Sequence, residues 1–163
     1  MRAADNVQGM TPLQRLQELG IELPGVAAPL AAYVPARRTG SLVYTSGQLP
    51  FVAGSLPATG KVGAEVSGED AAGLARIAAL NGLAAIHDLV GLDSVAAVVK
   101  VVGFVASAPD FTGQPAVVNG ASELLGEVFG TDGVHARSAV GVASLPLDAP
   151  VEVELIVELR AGA

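Results

Sequence analysis

The chain has 163 residues, which is enough for one domain of ordinary size and too few for two. Its residues are 51% hydrophobic and 15% charged, and its mean hydropathy is +0.53, which together exclude a disordered chain. The net charge of −7 opposes long-range attraction to phosphate backbones, so nucleic acid is not an expected partner. Because there are no cysteines, disulfides and Cys-ligated metals are excluded.

A membrane or secretory destination is not expected from the apolar segments. The longest of them, residues 95–106, is too short for a membrane-spanning helix and contains Lys100. Residues 1–10 have no apolar signal-peptide core. We therefore expect a cytoplasmic protein without a membrane partner.

The chain begins with a predicted N-terminal extension over residues 1–27 that contains a short helix. Thr11 is suited to cap this helix and Pro12 to occupy its first turn. Three leucines follow at helical spacing before Gly20 ends the helix: Leu13, Leu16 and Leu19. The main domain is predicted over residues 28–163.

Two early segments precede the central part of the main domain. Residues 29–36 are bounded by prolines and predict an extended segment, followed by a turn at residues 37–40. The β-branched and aromatic residues at 41–46 predict a strand. Residues 53–63 are rich in glycine and predict a loop.

The strongest helical pattern covers residues 67–89, with Ser67 placed to cap its N-terminus. Residues 95–105 are almost continuously β-branched and predict a long buried strand. Residues 109–129 contain a second helix, with Pro115 in its first turn.

Two further strands are predicted at residues 137–143 and 151–159. In the second strand three glutamates alternate with apolar residues, so one face is acidic and the other apolar: Glu152, Glu154 and Glu158. The order of elements indicates an α+β layer, with a sheet and two main helices on one face. Because no elements remain to cover the other face, we expect oligomerisation through the sheet.

Arg137 is the most informative cation, because it begins a predicted strand after a glycine-containing loop. Its planar fork suits bidentate binding of a carboxylate, although the spacing alone is more typical of an exposed arginine at a strand edge. If the last two strands pair as a hairpin, Glu152 lies at the opposite end from Arg137. A site that uses both residues would then need a subunit boundary or another strand order. The simplest interpretation of Glu152, Glu154 and Glu158 is that they form a solvent-exposed face of the strand.

The remaining polar residues give weaker signals. Ser46 and Gly47 lie in a turn after a strand, where hydroxyl and backbone N–H groups can bind an anion. His87 is expected at a helix surface or core edge, and His135 is a candidate for lining a pocket. The two histidines have no paired spacing, so neither a metal site nor a Ser-His-Asp triad is predicted.

Several stretches together resemble the reactive-intermediate imine deaminase family (RidA/YjgF, also called endoribonuclease L-PSP). They are Val43-Tyr44-Thr45-Ser46-Gly47-Gln48-Leu49-Pro50, Val98-Val99-Lys100-Val101, Val118-Asn119, and His135-Ala136-Arg137-Ser138-Ala139-Val140-Gly141-Val142, continuing to Val151-Glu152-Val153-Glu154. The resemblance covers roughly residues 28–159.

The resemblance implies a chorismate-mutase-like α+β layer that forms a homotrimeric barrel with its sites between subunits. It implies hydrolysis of enamines and imines, of the 2-aminoacrylate or 2-iminopropanoate type, to 2-keto acids and ammonia without a cofactor. The alternatives are a non-catalytic trimer that binds small carboxylates and, against the net charge of −7, an endoribonuclease or translation inhibitor.

The resemblance also implies roles for individual residues. Arg137 would bind the substrate carboxylate and Glu152 would hold or activate the attacking water. The pocket residues would be Tyr33, Ser46, Gly47, Asn119 and Ser138. The sequence departs from the family in its N-terminal extension, in a longer loop at residues 53–63, and in Ala139, where the family often has cysteine.

Overall fold

A computed structural model describes residues 9–26 and 32–163. One five-stranded sheet, in the order β1-β2-β5-β3-β4, carries its helices on one face. The strands are Ala36–Thr39 (β1), Leu42–Thr45 (β2), Val95–Ala106 (β3), Ala136–Val142 (β4) and Val151–Leu159 (β5). The helices are Pro12–Glu18 (α1), Gly68–Val90 (α2) and Gln114–Phe129 (α3).

The sheet is mixed, because β4 pairs with β3 in parallel while the other neighbours are antiparallel. The parallel pair is joined by a crossover through α3, which returns the chain to the same end of the sheet. The predicted α+β layer with two main helices on one face is confirmed.

The predicted turn at residues 37–40 is wrong, because most of it is strand β1. Thr39 pairs with Leu42, which leaves a two-residue turn at Gly40 and Ser41. Gly40 has φ +58°, the conformation that the first central position of a tight hairpin turn requires. The basic pair Arg37-Arg38 therefore lies on a strand, with both side chains exposed.

The long helices begin where their sequence signals indicate. Ser67 caps α2, its Oγ accepting from the backbone N–H of Asp70 at 3.0 Å, and Pro115 lies in the first turn of α3. Both helices pack on each other and on the sheet. The largest fully buried side chains of this layer include Leu83, Ile86, Leu124, Leu125 and Leu155.

The last two strands do not form a hairpin, because β3 lies between β4 and β5. Strand β5 is the central strand of the sheet, and it pairs with β2 on one side and with β3 on the other. The predicted strand bounds are close. The pairing of the two strands was not derivable from spacing, because the connection at residues 143–150 does not reveal that the chain passes the end of β3 before β5 begins.

Alternation along β5 gives the sheet two unlike faces. Val151, Val153 and Val157 are buried under the helices, whereas Glu152, Glu154 and Glu158 lie on the opposite face. That opposite face, which we call the open face, also carries Tyr44 and Val140, whose exposed fractions are 42% and 43%. No helix of the described residues covers it.

The N-terminal helix α1 docks on the helical layer. Leu16 is 2% exposed, the Arg15 Nε donates to the Glu127 carbonyl at 2.9 Å, and the Leu13 N–H donates to Asp93 Oδ1 at 3.0 Å. The predicted division between residues 27 and 28 falls at 27–31, which lie outside the described residues. It therefore stays a prediction.

Within the part of the chain that the structure describes, one helix, α2, has the length and apolar composition that could cross a membrane. Core helices of globular proteins meet the same criteria, and half of the apolar window of α2 is buried within the protein.

Candidate functional site

The predicted site residues fall into two groups that the sheet keeps apart. The arginine half-site contains Arg137 and the α3 side chains around it. The glutamate half-site contains Glu152 and the turn at Ser46-Gly47.

Arg137 is held against α3 by three hydrogen-bond acceptors. Its Nη1 donates to Asn119 Oδ1 at 2.8 Å and to Ser122 Oγ at 3.1 Å, and its Nη2 donates to the Pro115 carbonyl at 3.3 Å. Arg137 aligns with the buried Val101 of β3, so its side chain projects to the helical face of the sheet. The crossover through α3 places these acceptors beside the start of β4.

One edge of the Arg137 guanidinium remains free. Three of its five N–H groups have acceptors, and among the described residues the Nε–H and one N–H of Nη2 have none. Nε and Nη2 form one edge of the planar group, an edge that binds a carboxylate through two parallel hydrogen bonds. Because both N–H groups of Nη1 are bound to α3, Nε and Nη2 are the guanidinium nitrogens through which Arg137 could bind a carboxylate.

His135 extends this network away from Arg137. Its Nε2 lies 3.0 Å from Ser122 Oγ and its Nδ1 lies 2.6 Å from the Gly133 carbonyl oxygen. These residues, together with Gly126 and Val134, line a shallow cavity of about 320 Å³ next to Arg137. His135 is thus a lining residue, as the sequence suggested.

In the glutamate half-site, the Glu152 carboxylate lies directly against the backbone of Gly47. A Cβ atom added at residue 47 would overlap that carboxylate. The turn is anchored to β5 beside it, because Gln48 and Val153 exchange backbone hydrogen bonds of 2.9 and 3.0 Å. The predicted pair Gly47 and Glu152 is therefore brought together by one bridge between the turn and β5.

The environment of Glu152 raises its pKa above the ordinary value. Burial against the turn is the larger cause, and the like charge of Glu154, two residues along the same face, is the second. A carboxyl group with a raised pKa exchanges protons closer to neutral pH, which suits a general acid or base.

Tyr33 and Ser46 lie at the border of this half-site. The Ser46 hydroxyl donates to the Val34 carbonyl at 2.6 Å, and the Ser46 N–H donates to the Pro35 carbonyl at 2.8 Å. These bonds fasten the segment that carries Tyr33, which is half exposed, to the turn. The Ser46 hydroxyl hydrogen is thus engaged, and its lone pairs remain for a ligand.

The two half-sites do not meet within one chain. Arg137 aligns with Val101 and Glu152 with Phe104 of the intervening strand β3, so they are separated along the strand by about 10 Å. They also project from opposite faces of the sheet. Ser138, the neighbour of Arg137, lies on the face of Glu152, so only its backbone is near the arginine half-site.

Ser122 is the site residue that the sequence analysis missed. It lies one turn after Asn119 on α3, and both contact Arg137, so the spacing of three residues was the available signal. Within residues 9–26 and 32–163, no three histidine or carboxylate side chains are grouped as metal ligands.

Comparison with known proteins agrees with this arrangement of elements. Residues 13–159 match the model of the family described as "YjgF/chorismate_mutase-like, putative endoribonuclease". The chain belongs to the YjgF/chorismate mutase-like family. The family resemblance and the chorismate-mutase-like fold expected from the sequence are therefore confirmed.

Individual relatives of this YjgF-family chain cover nearly its whole length. Protein TCP17 of Trypanosoma cruzi is 47% identical over 149 residues, which are 89% of this chain and 92% of TCP17. The crystal structure of Atu1372 from Agrobacterium tumefaciens, a protein of unknown function, is 44% identical, covers 91% and 92% of the two chains, and gives a TM-score of 0.85.

A more distant YjgF-family structure contains a small ligand. TdcF of Escherichia coli, solved with bound serine, is 31% identical, covers 85% of this chain and 93% of its own, and gives a TM-score of 0.58. This neighbour shares the fold, and its ligand carries a carboxylate.

Proposed function

We propose that the protein hydrolyses small 2-imino acids, and the enamines that form them, to 2-keto acids and ammonia. The observation that carries the proposal is the way Arg137 is held: both N–H groups of Nη1 are bound to Asn119 and Ser122, while the Nε–H has no acceptor among the described residues. A guanidinium held in this way is prepared for a substrate carboxylate rather than for a solvent-exposed ion pair.

Glu152 supplies the proton chemistry in this proposal. Water adds to the C=N carbon as Glu152 accepts its proton, which forms a tetrahedral carbinolamine. Glu152 then gives this proton to the nitrogen, takes the proton of the carbinolamine hydroxyl and passes it to the same nitrogen as the C=O bond forms and the C–N bond breaks. Ammonia and the keto acid leave, and Glu152 returns to its starting state. The raised pKa of Glu152 favours these transfers, and 2-iminopropanoate plus water balances to pyruvate plus ammonia.

The proposal requires two copies of the chain at each site. Arg137 and Glu152 project from opposite faces of one sheet, so a substrate between them needs Arg137 of one copy and Glu152 of another. We propose a homotrimer, in which the open face with Tyr44 and Val140 is buried between copies. No cofactor enters the scheme.

A non-catalytic protein that binds small carboxylates is the second candidate. The bound serine in TdcF favours it, and Arg137 would serve binding as well as turnover. The two candidate functions differ in whether they need Glu152, because binding alone does not require a carboxyl group with a raised pKa. The net charge of −7 opposes the endoribonuclease activity named in the family description.

The deciding experiment measures release of ammonia and pyruvate from freshly generated 2-iminopropanoate. Arg137→Ala and Glu152→Gln should each reduce kcat/KM by about 100-fold, the effect of losing one strong charged interaction. Arg160→Ala, which changes an exposed arginine outside both half-sites, should act as wild type.

The outcomes separate the candidates. If wild type does not exceed spontaneous hydrolysis but binds pyruvate through Arg137, the protein is a carboxylate-binding module for this substrate class. If Arg137→Ala retains the full rate, the assignment of the carboxylate to Arg137 is wrong.

A further inference from the structure

His135 and Ser122 form a hydrogen-bond chain whose direction can be assigned. The Gly133 carbonyl can only accept, so the contact of 2.6 Å requires a hydrogen on Nδ1 of His135. In the neutral imidazole Nε2 is then an acceptor, and the Ser122 hydroxyl donates to it at 3.0 Å. The lone pairs of Ser122 are thereby left to accept from Arg137 Nη1 at 3.1 Å.

Without His135 the Ser122 hydroxyl would have another partner. A serine within a helix commonly turns its hydroxyl toward the backbone carbonyl four residues earlier. The Nε2 of His135 offers the hydroxyl a different acceptor, so the oxygen of Ser122 can face Nη1 of Arg137.

The end of the hydrogen-bond chain at Gly133 is packed against α3. Gly133 is buried, and a Cβ atom there would overlap the Leu125 carbonyl of α3, so the turn packs directly on the helix backbone. The Gly133 carbonyl that holds His135 is therefore fixed to the same helix that carries Ser122 and Asn119.

We propose that His135 is a positioning residue that acts through Ser122 on Arg137. By fixing the Nη1 side of the guanidinium, the two residues keep the Nε–Nη2 edge turned toward the substrate carboxylate. This inference rests on the proposed function, because it requires a carboxylate at Arg137. It assigns a role to two residues that the proposed chemistry does not itself use.

The test measures the dissociation constant for pyruvate by calorimetry, together with kcat and KM for 2-iminopropanoate. His135→Leu and Ser122→Ala should each weaken pyruvate binding and raise KM by about five- to tenfold, with kcat changed by less than about twofold. The double variant should bind pyruvate no more weakly than either single variant, because both changes interrupt the same hydrogen-bond chain.

Two further variants complete the design. His135→Gln offers an amide oxygen to the Ser122 hydroxyl and should retain binding within about twofold of wild type. Thr131→Ala changes an exposed residue of the neighbouring turn and should have no effect. If His135→Leu does not fold, Ser122→Ala and His135→Gln remain decisive, because alanine suits the helical position of Ser122 and glutamine keeps a hydrogen-bond acceptor at residue 135.

Additive losses in the double variant, or unchanged affinity in Ser122→Ala, would overturn the inference. Failure of the proposed function looks different, because Arg137→Ala would then bind pyruvate as tightly as wild type. If the wild type binds pyruvate through Arg137 but does not turn over 2-iminopropanoate, the dissociation constants alone decide whether His135 has the positioning role.

Discussion

The carboxylate of Glu152 occupies the space that a Cβ atom at residue 47 would need, so the two can coexist in this position only while residue 47 is glycine. We expect Gly47→Ala to displace the carboxylate and to lower kcat by about tenfold or more, because misplacement of a proton-transfer group is costly. Steady-state kinetics with 2-iminopropanoate provide the measurement.

Gly73→Ala on α2 is the matched control for this glycine. An added Cβ meets no atom there within 4 Å, and its backbone is helical. It should leave kcat unchanged. Equal kinetics of the two alanine variants would contradict a functional contact between Gly47 and Glu152.

Replacement of Glu152 should change stability in a pH-dependent way. Because folding raises the pKa of this carboxyl group, the folded state favours its protonated form. Its contribution to stability is present below the unfolded pKa and is lost as the pH rises through the folded pKa. Glu152→Gln should therefore raise Tm at pH 7 relative to wild type, and the difference should shrink at pH 4.

Thermal melts at the two pH values test this expectation, and Glu158→Gln is a control on the same strand at an exposed position. A Tm difference that is the same at both pH values would show that packing, rather than titration of Glu152, dominates.

Mixed oligomers should recover activity from two inactive variants. If each site takes Arg137 from one copy and Glu152 from another, a trimer that contains both Arg137→Ala and Glu152→Gln subunits keeps about a third of its sites intact, one site in three. Co-expression of differently tagged copies, followed by purification through both tags and a rate assay, measures this recovery.

The parent variants purified alone supply the background for that assay. Light scattering on wild type should give about three times the chain mass of 16.2 kDa. A monomeric mass, or hybrids no more active than their parents, would contradict a site shared between copies.

The N-terminal helix should contribute to the stability of the helical layer. Leu16 is 2% exposed at the contact of α1 with the layer, so Leu16→Ala should cost about 2–4 kcal/mol. Denaturant unfolding measures the cost, with Gln17→Ala, an exposed position of the same helix, as the control. An unchanged midpoint would mean that α1 detaches before the layer unfolds.

Local signals predicted the elements well. Ser67 and Pro115 mark helix starts, and the alternation of Glu152 and Glu154 with valines identifies the two faces of β5. Strand order was harder, because β5 pairs with β2 and β3, which are distant in sequence. The prediction of a turn at Arg37-Arg38 was wrong. The two charges indicated solvent exposure, and an edge strand is as exposed to solvent as a turn.

The candidate site was predictable in its residue types but not in its geometry. The family resemblance pointed to Arg137, Asn119 and Glu152, and their separation became visible only from the register on β3. Ser122 was missed because a lone serine on a helix resembles any solvated position until Arg137 is seen to contact it.

The three acceptors of Arg137 all come from one short stretch of α3. All lie within residues 115–122, among the first nine residues of α3. Substitutions on that short stretch can reorient the arginine without disturbing the central strand that carries Glu152. Under the proposed function, substitutions at this one helix terminus would alter ligand preference and leave the proposed proton-transfer group, Glu152, in place.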